Sequence, residues 1–172
     1  MGLYESEGIF VWSLNVSIPQ NIVRAIGEVT SELGQGGEVN EELTLVIKRF
    51  EKRDLDGHLE SEIKILLENV EPFVVEIGNL KMFDVADRGT SPVLYLEVKS
   101  RGIKLLHETL VSSFGCVEGV EGENYIPHIT IARGDGVRGV DFSDFSCSTR
   151  WTAEILEFWD RNKRKKKNKV IL

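Results

Sequence analysis

The 172-residue chain has only two cysteines, Cys116 and Cys147. They stand far apart with no neighbouring Cys or His, whereas a zinc site wants four ligands, usually in close pairs. They read as buried or indifferent thiols. No run of about 18 apolar residues occurs, so no membrane span is expected. Met1 to Gly8 carries Glu5 and Glu7, not the basic start and long apolar stretch of a secretory leader, and the expected location is the cytoplasm. No Pro/Gly-rich linker divides the chain, so one domain is expected over 1–172. No cluster of carboxylates suggests a metal site. Neither metal nor cofactor is expected, and nothing points to more than a monomer.

What is present can fold. Apolar residues make up 41% of the chain, enough for a core. Charge is unevenly placed. Seven basic residues lie between Arg161 and Lys169 with no acid among them, which leaves 14 basic against 28 acidic residues elsewhere, a balance of −14. An acidic body repels nucleic acid at long range, and a basic segment can recruit it locally. The alternative is a solubilising charged edge of a C-terminal hairpin.

Hydrophobic spacing predicts a strand over Ile9–Ser17, a helix over Gln20–Leu33 closed by Gly34, and a strand over Glu42–Phe50. A helix over Leu59–Val70, stopped by Pro72, and a strand over Phe73–Met82 follow. The theme then recurs as a strand over Val93–Ser100, a helix over Ile103–Phe114 and a strand over Tyr125–Arg133. Trp151–Trp159 reads as one last long strand. Strand–helix–strand therefore occurs twice, at a spacing that suggests an internal duplication, about 9–75 and 76–159.

The two closing strands carry the chemistry. One reads Glu42-Leu43-Thr44-Leu45-Val46-Ile47 and the other His128-Ile129-Thr130-Ile131-Ala132-Arg133. Alternation puts Leu43, Leu45 and Ile47 on one face, and Ile129 and Ile131 on the matching one. Glu42, Thr44, His128 and Thr130 point the other way and can converge on one cleft. Two threonine hydroxyls can donate to nonbridging phosphate oxygens. A titratable group on each side can remove a proton from the attacking oxygen and supply one to the leaving oxygen. Strict alternation sets Arg133 on the apolar face, although past a strand end it could still reach a phosphate. Tyr125 could stack on a base or simply pack. His107 lies inside a helical pattern, and His58 lies beyond the strand.

The segment Pro127-His128-Ile129-Thr130-Ile131-Ala132-Arg133 resembles the second motif of the 2H phosphoesterase superfamily, in its 2'-5' RNA ligase (cyclic phosphodiesterase) branch. The order of elements is similar over nearly the whole chain. The resemblance implies an α+β, two-lobed, pseudo-symmetric LigT-like fold, with antiparallel sheets around a central cleft and helices outside. It also implies metal-independent hydrolysis of a cyclic phosphate or a 2'-5' linkage, on RNA ends or nucleotides. The implied site is His128 and Glu42 for acid–base work, with Thr44, Thr130 and Arg133 on the phosphate and Tyr125 as a stacking surface. The family has two His-x-Thr motifs, and here the first falls on Glu42-Leu43-Thr44-Leu45, with glutamate in place of histidine. An ionised Glu42 could act as base and would favour the charged, acid form of His128. The competing reading is a non-catalytic RNA- or nucleotide-binding module.

Overall fold

The computed structural model describes residues 10–31, 38–39, 42–51, 57–85, 90–141, 147, 149–160 and 165–172. The expected glycine loop at 34–37 and the start of the basic segment at 161–164 lie outside them. In chain order the strands are β1 (Phe10–Val16), β2 (Glu38–Val39), β3 (Leu45–Glu51), β4 (Phe73–Phe83), β5 (Val93–Lys99), β6 (His128–Arg133), β7 (Arg150–Ala153), β8 (Ile155–Asp160) and β9 (Lys165–Ile171). The helices are α1 (Gln20–Ser31), α2 (Gly57–Leu67) and α3 (Arg101–Phe114).

Helix ends follow local chemistry. Ser100 caps α3 by accepting from the Ile103 N–H at 3.2 Å, and its own hydroxyl donates to the Val74 carbonyl at 2.7 Å. Gly115 closes the helix at φ +86°, a conformation that suits a residue without Cβ, and its N–H returns to the Val111 carbonyl. Each helix buries an apolar stripe, with Ile22 and Ile26 on α1, Ile63 and Leu67 on α2, and Ile103, Leu106 and Leu110 on α3.

Among the described residues nine strands form one antiparallel sheet, in the order β7-β4-β5-β6-β3-β1-β8-β9, with β2 beside β6. One face is the core. Leu14, Leu45, Leu96, Ile129, Leu156 and Phe158 on it are fully buried. Helix α3 contacts both β4 and β3, so it crosses the two strands between them.

The expected long strand over Trp151–Trp159 is interrupted at Glu154. Its first part, β7, pairs with β4 at one edge, while its second part, β8, pairs with β1 and β9 at the opposite end of the order. One residue spans only about 3.4 Å, so the two ends of the sheet must approach each other. The sheet is therefore curled, with helices outside. The basic segment forms strand from Lys165 onward, not a turn alone.

Candidate functional site

β6 lies between β5 and β3, near the middle of the sheet. Its core-facing Ile129 pairs with Leu96 on one side and Leu45 on the other. His128 and Thr130 therefore face the inner side, opposite Glu97 and Tyr95 of β5. The His128 Nδ1–H donates to the Ile126 carbonyl at 2.7 Å, which must be the protonated nitrogen because a carbonyl only accepts. Nε2 makes no hydrogen bond among the described residues. Phe83 and Tyr95 stack at 4.0 Å, and both meet the His128 ring edge-on at 5.4 Å, so the imidazole is held by aromatic walls. Burial pushes its pKa below the usual histidine range. The Ile126 carbonyl opposes this, and the charges of Arg49 and Arg133 add to the lowering. The expectation of a charged His128 beside Glu42 is thus reversed.

The two arginines reach this face through β-bulges. Tyr95 pairs with Thr130 but Leu94 with Ala132, so Ile131 is an extra residue and Arg133, opposite Val93, returns to the face of Thr130. Strict alternation had set Arg133 among the apolar residues, and the bulge is the physical reason it is not there. In β3, Val46 pairs with Asn15 but Lys48 with Leu14. Ile47 is the extra residue, and Arg49, opposite Ser13, moves to the inner face.

Two further bulges do the same. In β4, Ile77 pairs with Val98 but Leu80 with Leu96, which sets Lys81 opposite Tyr95. In β9, Asn168 pairs with Phe158 but Lys166 with Trp159. Side-chain contacts agree with these assignments. Lys81 bonds Glu97 at 3.0 Å and Lys166 bonds Glu157 at 2.9 Å on the inner face, while Asn168 donates outward to Glu60 of α2 at 2.9 Å.

The first motif is looser than its sequence suggests. β3 starts at Leu45, so neither Glu42 nor Thr44 lies in the ladder, and Glu42 sits exposed at a bend. β3 and β6 pair through Leu45 and Ile129, so Thr44 is the residue before that pair, Thr130 the residue after it, and Glu42 is two residues further out than Thr44.

Tyr125 is used differently from the expected stacking surface. Its ring lies flat on His107 at 3.7 Å and its hydroxyl donates to the Val46 carbonyl at 2.8 Å. His107 donates through Nδ1 to the Ile47 carbonyl at 2.7 Å and accepts at Nε2 from the Gly122 N–H at 3.0 Å. Burial lowers its pKa. Beside it Glu121 accepts from Lys48 Nζ at 2.6 Å and from the backbone N–H groups of Arg49 and Val117, each at 2.9 Å. This buried network stands behind β3 and holds its bulge. His58 pairs with Glu62 on the exposed side of α2.

Arg49, Phe83 and Lys81 escape sequence reasoning because alternation alone misassigns a residue beyond a bulge. Tyr95 had a visible signal, an aromatic in the strand Val-Leu-Tyr-Leu-Glu-Val that pairs with the His128 strand.

The fold is that of 2H phosphoesterases. A crystal structure described as a phosphoesterase superposes with TM-score 0.71 at 16% identity, covering 95% of this chain and 98% of that one. LigT of E. coli complexed with NADP+ gives 0.69 at 15% identity over the same shares. The same protein complexed with phosphate gives 0.66 at 14% identity, covering 96% of this chain and 98% of that one. The family model of the 2'-5' RNA ligase superfamily matches residues 43–143, more than half of the chain. The chain belongs to the 2'-5' RNA ligase superfamily. Among curated proteins none matches it.

Proposed function

We propose that the inner face around His128 binds a phosphodiester and hydrolyses a 2',3'-cyclic phosphate or a 2'-5' linkage on a nucleotide or RNA end, without a metal. The observation that carries this is His128 itself, with Nδ1 committed to a carbonyl, Nε2 uncommitted among the described residues, and two arginine charges acting on the ring. A neutral imidazole presenting Nε2 is a general base, able to take the proton of an attacking water. Thr44 and Thr130 supply hydroxyl donors to nonbridging oxygens, and Arg49 and Arg133 neutralise charge that builds on phosphorus. The carriage of NADP+ and of phosphate by LigT agrees with such a site.

This assignment turns over the sequence expectation, in which Glu42 was base and His128 acid. Glu42 stands where the family has an imidazole and lies outside the β3 ladder, which makes the acid half of the reaction the weak one. The second reading, a binding module without turnover, draws on that same exposed Glu42.

Turnover of a 2',3'-cyclic mononucleotide with chelator present separates the two. The enzyme reading expects slow hydrolysis, its loss in His128→Ala, and a rise of about 100-fold or more in Glu42→His, the scale of one general acid. Saturable binding with no turnover in either the native chain or Glu42→His would leave only the module.

A further inference from the structure

A bulge takes backbone groups out of the ladder, and buried ones must find another partner. In β3 those partners come from α3 and the segment that follows it. β3 and β6 pair through Leu45 and Ile129. Past that pair the Val46 carbonyl accepts from the Tyr125 hydroxyl at 2.8 Å, and the Ile47 carbonyl accepts from His107 Nδ1–H at 2.7 Å. The Arg49 carbonyl accepts from Lys48 Nζ at 2.8 Å, and the Arg49 N–H donates to Glu121 at 2.9 Å. Three carbonyls and one N–H between Val46 and Arg49 are thus held by side chains.

His107 differs from the others in that its second contact depends on its proton. Its Nε2 accepts from the Gly122 N–H at 3.0 Å. A neutral imidazole donates at one nitrogen and accepts at the other, whereas an imidazolium only donates. Protonation therefore sets two N–H groups against each other, and places a charge on a buried ring that lies flat on Tyr125. Gly122 follows Glu121 in the chain. A shift at Gly122 moves the carboxylate that holds both the Lys48 ammonium and the Arg49 N–H. The titratable and charged groups that face the ring are Lys48 and Arg49 from β3, with Glu121 and Tyr125 from the segment after α3. Burial opposes a charge on His107 most strongly and the two cations add to it, while the Ile47 carbonyl and Glu121 favour one. Burial also pushes the Tyr125 phenol up, so its hydroxyl stays a donor throughout the range in which His107 titrates.

We propose that His107 is a pH-sensitive positioning residue for Arg49. As neutral imidazole it clamps the β3 bulge to the turn at Gly122–Asn124, and on protonation it releases that turn, so that Arg49 loses its anchor. With a pKa below the ordinary value of about 6.5, the clamp is complete at neutral pH and is lost as pH falls through the lowered value. Anion affinity on the inner face is then regulated from the helix side of the sheet. The clamp itself stands on the His107 contacts, and its consequence rests on the phosphodiester site at His128 proposed above.

The clamp is read without ligand. In the native chain the His107 ring is titrated by NMR between about pH 7.5 and about 5, the span in which histidines change charge, while hydrogen exchange follows the Gly122 and Arg49 amides. Their protection is expected to fall about tenfold with the His107 midpoint, the scale of one lost hydrogen bond. His107→Gln, whose amide can donate and accept but does not titrate, should keep that protection across the range. The consequence is read by binding of a 2',3'-cyclic mononucleotide to both proteins, because dividing one affinity by the other cancels the titration of His128. The native-to-variant affinity ratio should fall about tenfold from the upper to the lower pH, the scale of one charge-assisted hydrogen bond. Amides that stay protected while His107 titrates, or that lose protection equally in His107→Gln, overturn the clamp and leave the His128 site standing. A constant affinity ratio with responding amides overturns the link from His107 to Arg49. Absence of binding to either protein at both pH values removes the His128 site and the regulation with it.

Discussion

A histidine whose Nδ1–H is tied to a carbonyl can act only through Nε2, and its pKa then decides when it acts. His128 is pushed down by burial, and by Arg49 and Arg133, so it stays neutral to below the ordinary value of about 6.5. As pH falls through that lowered pKa the base is protonated and lost. The acid limb of the kcat/KM profile is therefore expected below pH 6.5. Arg49→Gln or Arg133→Gln removes one of the lowering charges, so the limb should move to higher pH while kcat/KM falls through weaker phosphate stabilisation. A limb above 6.5 in the native chain, or one that neither replacement moves, would contradict His128 as the base.

At the scale of elements the bulges matter most, because each re-aims a side chain without changing the strand around it. The β3 bulge is held from behind. Glu121 binds the buried Lys48 ammonium and accepts the Arg49 backbone N–H, so the residue that turns Arg49 inward is anchored by a carboxylate 72 positions away. Removing one partner of a buried ion pair leaves a charge without compensation, at a cost of about 3–5 kcal/mol. Glu121→Ala should lower unfolding stability by that order in a denaturant titration and weaken phosphate binding through Arg49. A loss under about 1 kcal/mol would mean that the pair contributes little and the bulge stands without it.

At the scale of the whole molecule the sheet is one curled surface, and β9 lies at the end of the strand order opposite β7. The β8–β9 hairpin also buries Leu156 and Phe158, so the basic segment serves the core as well as the surface. Truncation after Asp160 removes β9 and exposes the β8 edge, an open ladder prone to association. The truncated chain is expected to melt at a lower temperature and to self-associate in size-exclusion chromatography. A monomer melting at the native temperature would show that the segment is a solvated tail with no part in the sheet.

Local chemistry determined much of this protein. The helical stripes, the Ser100 and Gly115 ends of α3, and the alternation of Ile129 with His128 and Thr130 all depend on neighbours in the chain. So does the resemblance of Pro127–Arg133 to a known motif, which carried the family. What only tertiary structure decided is register. Whether a strand contains an extra residue depends on its partner, and one bulge reverses every assignment beyond it. For that reason Arg49 and Lys81 were invisible and Arg133 was set on the wrong face. The break at Glu154, Tyr125 turned onto His107, and the pKa direction of His128 were equally out of reach, because each is set by groups far away in sequence that only the folded sheet brings together.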